Sequence, residues 1–524
     1  MADPDHLVAI VGAGPGGIAA AKQLLDAGID DFVILERAGD FGGTWRDNHY
    51  PGLAVDIPVM WYQLSFAPNP NWSRLFAPGP EIYRYLRDTA ARLGLYEHLR
   101  AHCEVTRQRW DDTAQLWRLW LDGDQTVSAR FVINSVGGYV NPKSAIPVDG
   151  IDDFTGTVLR PNAWDDGYHT AGKRIAVIGT GSSGIQIAAA LSAGAGTLEV
   201  YQRTPAWVLP KIDFAVPRRL RPLMRMRWAV AAVNLLGRLA MDVFMVGPLV
   251  HLMAHLPDRL LIRLMPLYDS YCRGLYRLLL RAKVTDPATR RALVPRYGLL
   301  AKRPVISSDF LPTLNNPNTH LVTTPIARIT ATGVRTVDGV DHPADLIVAA
   351  TGYELWTDPE TYRPGTVVGS DGFDLAHYYR AEGLRSYAGT AHPRLPNRWE
   401  IVGPLGFVGL AWMDYVETMA AHAVRMITET RRRGAASVAV GDAAFERWNE
   451  LMRRRGKAVH LYLTACNPGL STYFVNSQRE TVYHRPQTIT GSRRFSRRSP
   501  LGDYVFRQPT GAPPIPADKE YLQL

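Results

Sequence analysis

The chain has 524 residues, which suffices for roughly two to four domains of about 150 residues each. Its apolar fraction of 46% and charged fraction of 21% are typical of a globular protein and exclude extensive disorder. The net charge of +10 favours anionic partners, but the basic residues are spread widely, so nucleic-acid binding is not predicted.

The first element is a strand, glycine turn, helix and second strand in residues 8–37, VAIVGAGPGGIAAAKQLLDAGIDDFVILER. Gly12, Gly14 and Gly17 permit a tight turn, close approach of a pyrophosphate and close packing of helix on strand. Glu36 ends the second strand, where a carboxylate accepts hydrogen bonds from a ribose 2′-hydroxyl. The pattern predicts a site for FAD or NAD. No basic and apolar leader precedes it, so a cytoplasmic location is expected.

The same arrangement returns in residues 174–205, RIAVIGTGSSGIQIAAALSAGAGTLEVYQRTP. Gly179, Gly181 and Gly184 occupy the glycine positions, and Arg203 stands where the first copy has its glutamate. An arginine there pairs with a 2′-phosphate, so this copy predicts an NADPH site. Two nucleotides in one chain imply electron transfer between them.

These copies predict an α/β fold with two Rossmann-like dinucleotide-binding domains and a mostly helical insertion. The apolar phrases FVINSVGG (131–138) and LIVAATGY (346–353) are interpreted as strands that end at the joint between the domains. The predicted division is an FAD-binding domain, first part, in 1–150; a linker and the first part of the NADP-binding domain in 151–210; the insertion in 211–298; the second part of the NADP-binding domain in 299–345; and the second part of the FAD-binding domain with a C-terminal active-site cover in 346–524.

Within the insertion, a basic run (218–227) leads into an apolar stretch (228–256). Arg238, Asp242 and Pro248 interrupt that stretch, so no membrane-spanning helix is predicted. The simplest interpretation is a set of helices packed on the body of the protein. Peripheral membrane contact through 218–256 is the alternative, because a basic flank beside an apolar helix is typical of interfacial helices.

The C-terminal third has apolar residues at helical spacing over 413–433, which predicts a helix. The basic cluster of Arg493, Arg494, Arg497 and Arg498 is interpreted as a solvated loop. Aromatic residues of this third are consistent with a lipophilic substrate, although core packing explains them equally well; they are Trp412, Tyr415, Tyr473 and Phe474.

Residues 42–56, GGTWRDNHYPGLAVD, resemble the motif of type I Baeyer–Villiger monooxygenases, in which Gly-Gly-x-Trp is followed by aromatic-Pro-Gly and an aspartate. Every specified position matches: Gly42, Gly43, Trp45, Tyr50, Pro51, Gly52 and Asp56. The resemblance continues through YQRTP (201–205), AKRP (301–304) and AATGY (349–353), and weakens after residue 356.

The family's second motif falls at residues 154–165, FTGTVLRPNAWD, with Arg160 in place of its histidine. In the family this segment resembles an interdomain linker, so the departure bears on coupling between domains more than on the oxygen chemistry.

The resemblance implies a monooxygenase in which NADPH reduces FAD and a flavin peroxide inserts one oxygen beside the carbonyl of a lipophilic ketone, giving an ester or lactone, with dioxygen as co-substrate. Arg303 is the expected catalytic cation, since an arginine stays charged at any working pH. Asp56 is expected to pair with it, and Lys302 to approach the NADP phosphate. Oxygenation of sulfur or nitrogen on the same scaffold, and a non-catalytic sensor or scaffold that binds both nucleotides, remain alternatives.

The predicted cofactor contacts come from the two motifs and the resemblance, and no metal site is predicted. On the FAD side they are Gly12, Gly14, Gly17, Glu36, Gly43, Thr44, Trp45, Asp56, Tyr62 and Val105. On the NADPH side they are Gly179, Thr180, Gly181, Ser182, Ser183, Gly184, Gln186, Arg203, Thr204 and Lys302.

Overall fold

The computed structural model describes residues 3–143, 148–217, 219, 221–243, 253–407 and 412–509. The strands are β1 (His6–Val11), β2 (Phe32–Leu35), β3 (Leu99–Arg100), β4 (Val105–Asp111), β5 (Leu116–Leu121), β6 (Thr126–Asn134), β7 (Thr157–Leu159), β8 (Arg174–Ile178), β9 (Thr197–Tyr201), β10 (Val208–Leu209), β11 (Val305–Ile306), β12 (Thr319–Val322), β13 (Ile326–Thr330), β14 (Gly333–Thr336), β15 (Asp341–Pro343), β16 (Leu346–Ala349), β17 (Val367–Val368), β18 (Arg398–Glu400), β19 (Ser437–Val440) and β20 (Tyr504–Arg507). The helices are α1 (Pro15–Asp26), α2 (Thr44–Asp47), α3 (Gly79–Arg92), α4 (Ser182–Leu191), α5 (Arg221–Arg225), α6 (Arg227–Met241), α7 (Asp258–Lys283), α8 (Pro287–Ala292), α9 (Phe310–Thr313), α10 (Leu375–Glu382), α11 (Trp412–Arg432), α12 (Asp442–Thr464) and α13 (Ile489–Arg498).

The first large sheet has the order β17-β4-β5-β6-β1-β2-β3, with β18 also paired to β6. Strand β1 lies at its centre, parallel to both β2 and β6. It is fully buried from Val8 onward because α1 and α11 cover one face of the sheet and other parts of the chain cover the other. Helix α1 follows β1 after a short turn, with Pro15 in its first turn. The end of β1 and the start of α1 thus meet at the first glycine motif.

The second large sheet has the order β12-β9-β8-β16-β7, and all of its strands are parallel. Its centre repeats the first arrangement, since β8 runs into a glycine turn and then into α4. Parallel strands with helical connections are the signature of the α/β class. The predicted fold class is confirmed.

The two predicted joint strands are shorter than the sequence suggested. Strand β6 ends at Asn134 and β16 ends at Ala349. After each of these strands the chain turns away within three residues, where Gly137 and Gly352 adopt left-handed φ angles of 89° and 94°. The residues beyond each strand therefore form loops at the sheet edge and line a cavity there.

The interpretation of the C-terminal basic cluster as a loop was wrong, because its four arginines lie in α13. Thr488 caps this helix by accepting a hydrogen bond from the Gly491 N–H at 3.1 Å. Arg493 forms an ion pair with Asp414 of α11. The predicted helix over 413–433 agrees with α11 to within one residue at each end.

Between β10 and β11 the chain forms α5 to α8, and β10 pairs with β11 in parallel across this insertion. Helix α6 contacts residues 59–61 and α13, whereas α7 contacts α12. Residues 244–252 of the predicted apolar stretch lie outside the described residues. Within the described ranges, no helix is both long and apolar enough to cross a membrane.

Candidate active site

A cavity of about 1390 Å³ lies at the edge where the strands of both large sheets end. Val11, Leu35, Ile178, Tyr201 and Ala349, each at the carboxyl end of a parallel strand, line it. Open α/β sheets bind ligands at this edge. The volume exceeds the roughly 300–1,000 Å³ of a pocket for one drug-sized molecule, so the cavity is larger than a single small ligand requires.

The first glycine motif forms a cradle that any larger side chain would fill. Gly12 has φ 102°, and a Cβ there would lie 2.7 Å from the Ser135 carbonyl oxygen. A Cβ on Gly17 would lie 2.1 Å from the Gly12 carbonyl oxygen, so this glycine serves close packing and does not line the cavity. Gly14 faces the cavity, where the N-terminus of α1 offers N–H groups to an anion. The cradle fits a diphosphate.

The second motif repeats this geometry. A Cβ on Gly179, at φ 114°, would lie 2.5 Å from the Ala350 carbonyl oxygen, and one on Gly184 would lie 2.0 Å from the Gly179 carbonyl oxygen. Gly181 has open space around it and lines the cavity, whereas Gly184 does not. The residues present therefore fit a second diphosphate at the start of α4.

Most of the predicted cofactor contacts are brought together on the wall of this one cavity. They are Gly12, Gly14, Glu36, Gly43, Thr44, Trp45, Asp56, Tyr62, Val105, Gly179, Thr180, Gly181, Ser182, Ser183, Gln186, Arg203, Thr204 and Lys302. Gly17 and Gly184 pack behind the wall.

The residues predicted to distinguish the two nucleotides differ in their charge environment. The buried carboxylate of Glu36 accepts hydrogen bonds from the Ala13 and Ala38 N–H groups at 2.8 and 2.9 Å, and Arg46 lies 3.2 Å away. In contrast, Arg203 and Lys302 pair with no carboxylate among the described residues. Burial and the charge of Arg203 lower the pKa of Lys302. Two adjacent cations that repel each other fit an anionic group such as a 2′-phosphate.

Arg303 and Asp56 form an ion pair beside the cavity. The Nη2 of Arg303 lies 2.7 Å from both carboxylate oxygens of Asp56. The side chain of Arg303 is 42% exposed and lines the cavity, while its Nη2 is paired with Asp56. Burial lowers the pKa of Arg303, but Asp56 and the neighbouring tyrosines outweigh it, and the net pKa lies above its usual value. The pair presents a permanent, oriented cation.

The motif at residues 42–56 connects the two nucleotide sites. The Tyr50 hydroxyl donates to the Gln186 Oε1 at 3.0 Å, and the Gln186 Nε2 donates to the Ala54 carbonyl at 3.1 Å. Gly52 lies against the Gln186 backbone, where a Cβ would come within 2.7 Å of its carbonyl oxygen. On the other side of the motif, the Trp45 Nε1 donates to the Tyr62 hydroxyl at 3.1 Å. The segment thus fixes Asp56 relative to both cradles.

Aromatic side chains form a wall next to Arg303. Tyr139 and Tyr483 share a hydrogen bond of 3.1 Å between their hydroxyls, and the rings of Tyr473 and Tyr483 lie 5.2 Å apart. Burial raises the pKa of Tyr139, so this hydroxyl stays protonated at neutral pH. Phe407 and Trp412 extend the wall along the cavity.

Sequence reasoning found only part of this wall. Of the aromatic residues singled out from the sequence, Trp412 and Tyr473 line the cavity, whereas Tyr415 and Phe474 are buried behind it. Tyr139, Phe407 and Tyr483 were missed. They carry no local pattern, and the fold alone places them together.

Arg160, which departs from the family motif, lies in the turn after β7 and lines the cavity. Its Nη1 donates to the Lys143 carbonyl at 2.9 Å. The arginine thus connects the turn after β7 to the segment that runs from the first large sheet to the second.

Comparison with known proteins identifies relatives of this chain. A model of the pyridine nucleotide-disulphide oxidoreductase family matches residues 9–242. A Baeyer–Villiger monooxygenase of Streptomyces coelicolor is 34% identical over 508 residues, covering 96% of this chain and 93% of that protein. Another, from Pseudomonas aeruginosa, is 34% identical over 457 residues, covering 86% of this chain and 82% of its own.

Among solved structures, the oxidized steroid monooxygenase bound to NADP superposes with a TM-score of 0.81 at 28% identity, covering 96% of this chain and 99% of that one. The closed form of cyclohexanone monooxygenase also gives 0.81, at 25% identity, with the same coverage.

Two nucleotide cradles facing one cavity are typical of a flavoprotein oxidoreductase. The chain belongs to the Baeyer–Villiger monooxygenases. This membership confirms the predicted enzyme class, an NADPH-dependent flavoprotein monooxygenase, and the two predicted cofactors, FAD and NADPH. Cys103, Cys272 and Cys466 are all free, in contrast to the disulphide chemistry in the name of the matching family model.

Proposed function

We propose that the protein oxidises a lipophilic ketone to an ester, or a cyclic ketone to a lactone. The reaction consumes one ketone, one dioxygen, one NADPH and one proton, and yields the ester, NADP⁺ and water. The observation that carries the proposal is the Arg303–Asp56 pair, which faces the cavity between the two cradles and next to an aromatic wall.

The two nucleotides are assigned by charge. Glu36 and the turn at Gly12 and Gly14 would hold the ribose and diphosphate of FAD, whereas Arg203 and Lys302 would hold the 2′-phosphate of NADPH. The other contacts predicted from the sequence extend these two sites. FAD, once reduced by NADPH, supplies the two-electron chemistry that activates dioxygen.

Arg303 would donate hydrogen bonds to the oxygen atom that gains negative charge when the carbonyl carbon of the ketone becomes tetrahedral. Preorganised donors of this kind are often the largest single contribution to catalysis. Asp56 acts as a positioning residue, because its carboxylate fixes the direction of the guanidinium and keeps the cation paired.

The aromatic wall would contact the apolar body of the ketone and exclude water from the reacting atoms. Tyr139, Trp412 and Tyr473 provide this surface on the cavity side. The C-terminal residues that contribute to it would thus set which ketones enter.

The test is turnover of the purified holoenzyme with NADPH and isotopically labelled dioxygen. The substrates are a panel of cyclic ketones, long-chain ketones and a thioether, and products are identified by mass spectrometry. We expect one labelled oxygen in an ester or lactone. Labelled sulfoxide without any ester would favour heteroatom oxygenation, and hydrogen peroxide as the sole product would contradict both oxygen transfers.

A further inference from the structure

Helix α7 of the insertion has two apolar faces. One is buried against the body of the protein, and the other is exposed. Leu261, Met265 and Leu280 are buried on the face that packs on the body of the protein, where α7 contacts α8, α9 and α12. A second row is exposed, with Leu267 and Tyr271 each 67% accessible. Its members recur every three or four residues and so share one side of the helix: Leu260, Leu264, Leu267, Tyr271, Leu275 and Leu278.

Helix α6 repeats this feature. Trp228 is 68% exposed and Leu236 is 66% exposed, and Leu239 continues the row one turn later. The opposite side of α6 packs closely on the body of the protein, since a Cβ on Gly237 would lie 2.7 Å from the Trp61 Nε1. Most of the large apolar side chains that are exposed in the described part of the chain lie on these two helices. An exposed apolar row of this kind, as on α7, marks an interaction site.

Arginines border the exposed row of α7. Arg259, Arg263, Arg277 and Arg281 are all exposed and, at 100° per residue, lie along one edge of that row. None of the four pairs with a carboxylate among the described residues, whereas arginines elsewhere on the surface often do, as Arg335 does with Asp341. The row is therefore an apolar stripe with an unneutralised basic edge.

Acidic residues are absent from this stripe. Asp269 of the same helix is buried and accepts a hydrogen bond from the Tyr462 hydroxyl at 2.9 Å, and Asp258 at its start pairs with Lys457. A second copy of this chain packed on the stripe would add another basic edge and offers no carboxylate there to neutralise either one. The complementary surface is apolar in its interior and anionic at its boundary.

We propose that the exposed face of α7 docks the protein on a membrane surface that contains anionic lipids. The apolar side chains enter the region between headgroups and acyl chains, and the arginine edge contacts lipid phosphates. The inference rests on the surface alone and does not depend on which substrate the active site accepts.

The test is co-sedimentation of the full-length holoenzyme with vesicles of phosphatidylcholine, alone or mixed with phosphatidylglycerol. We expect binding to the mixed vesicles, weakened by salt. The double variant Leu267→Glu/Tyr271→Glu should lower the bound fraction by about tenfold or more, since it places charges in the apolar contact. Arg263→Gln/Arg277→Gln should lose the preference for mixed vesicles.

The matched control is Val337→Glu, which changes an exposed apolar residue (61% accessible) between β14 and β15. It should bind vesicles as the unchanged protein does, and all variants should retain NADPH oxidation and thermal stability. Absence of vesicle binding, or equal binding by the Leu267→Glu/Tyr271→Glu variant, would overturn the proposal. So would light scattering that shows an oligomer which this variant dissociates, because the stripe would then be an interface between copies.

Discussion

Arg303 lies 2.7 Å from Asp56 although 247 residues separate them along the chain. Asp56 ends the motif that packs against α4 through Gln186, and Arg303 precedes β11, which pairs with β10 across the insertion. The pair therefore depends on the relative placement of both nucleotide domains. A change in that placement would move the cation in the cavity. The position of the Arg303 guanidinium at the reacting atoms therefore depends on how the two domains are arranged.

Replacement of Arg303 by alanine should separate the two half-reactions. We expect ester formation to fall about 100-fold or more, the usual cost of losing an oxyanion donor. Flavin reduction by NADPH should persist, because Arg203 and Lys302 remain. Anaerobic stopped-flow reduction and product analysis measure the two steps. Arg335→Ala, which breaks an exposed ion pair with Asp341, is the control and should alter neither. Ester formation by Arg303→Ala at the rate of the unchanged protein would refute the assigned role.

Asp56→Asn should act through Arg303. Loss of the carboxylate removes the charge that raises the pKa of Arg303 and fixes its direction. We expect ester formation to fall about 10- to 100-fold, as for a misplaced catalytic group. A double-mutant cycle checks the mechanism, since Asp56→Asn in the Arg303→Ala background should cost little more. Two effects that simply multiply would show that the residues act independently.

Arg203→Ala and Lys302→Ala should each weaken the binding of NADPH without weakening the binding of NADH. A hydrogen bond to a charged group contributes about 1.5–3 kcal/mol, so the KM for NADPH should rise about 10- to 100-fold. NADH lacks the 2′-phosphate and serves as the internal control. Steady-state oxidation of both coenzymes gives the ratio, and Arg203→Lys should restore part of the preference for NADPH. Equal losses with both coenzymes would place the two cations elsewhere on the nucleotide.

Alanine in place of the first glycine of either motif should abolish binding of the nucleotide at that motif and leave the other nucleotide bound. Gly12→Ala puts a Cβ 2.7 Å from the Ser135 carbonyl oxygen, and Gly179→Ala puts one 2.5 Å from the Ala350 carbonyl oxygen. The first should yield protein without flavin, and the second should retain FAD but lose reduction by NADPH. Gly339→Ala shares the left-handed φ with no atom within 4 Å, and so controls for backbone strain alone. Flavin absorbance and reduction rate are the readouts.

The two cradles could be predicted because their signals are local. Each glycine motif and its charged partner lie within about 25 residues of each other in one strand–turn–helix–strand unit, and the geometry of that unit fixes their roles. The same locality explains why α11 was predicted to within one residue from its apolar spacing. The ends of β6 and β16 were placed too far along, because apolar residues at the cavity edge resemble strand residues in sequence.

The rest of the site depends on contacts between distant parts of the chain. Tyr139 and Tyr483, which share a hydrogen bond, are 344 residues apart, and no spacing in the sequence predicts their meeting. The Arg303–Asp56 pair was predicted only through family resemblance. The basic cluster was assigned to a loop because charge density gave no sign of the cap at Thr488 or of the ion pair between Arg493 and Asp414.

Buried histidine should make the protein acid-labile. His422 is fully buried and shares a 2.7 Å hydrogen bond with the Tyr504 hydroxyl. Burial, together with the charges of Arg425 and Arg485, lowers its pKa from 6.5 to about 3. Above pH 6.5 the group is neutral in both states. Between 6.5 and about 3 only the unfolded chain takes up the proton, so stability is lost as pH falls.

The expected slope is about 1.4 kcal/mol in the free energy of unfolding per pH unit for such a histidine. Burial also lowers the pKa of His392 to about 3 and, together with the charge of Arg303, that of His484 to about 4, so the three should together give about three times that slope. Chemical unfolding from about pH 6 down to about pH 4.5 measures it. His422→Gln keeps a hydrogen-bonding side chain that does not titrate, and should lower the slope by the contribution of one histidine, about 1.4 kcal/mol per pH unit. An unchanged slope in this variant would mean that His422 already takes up its proton in the folded protein.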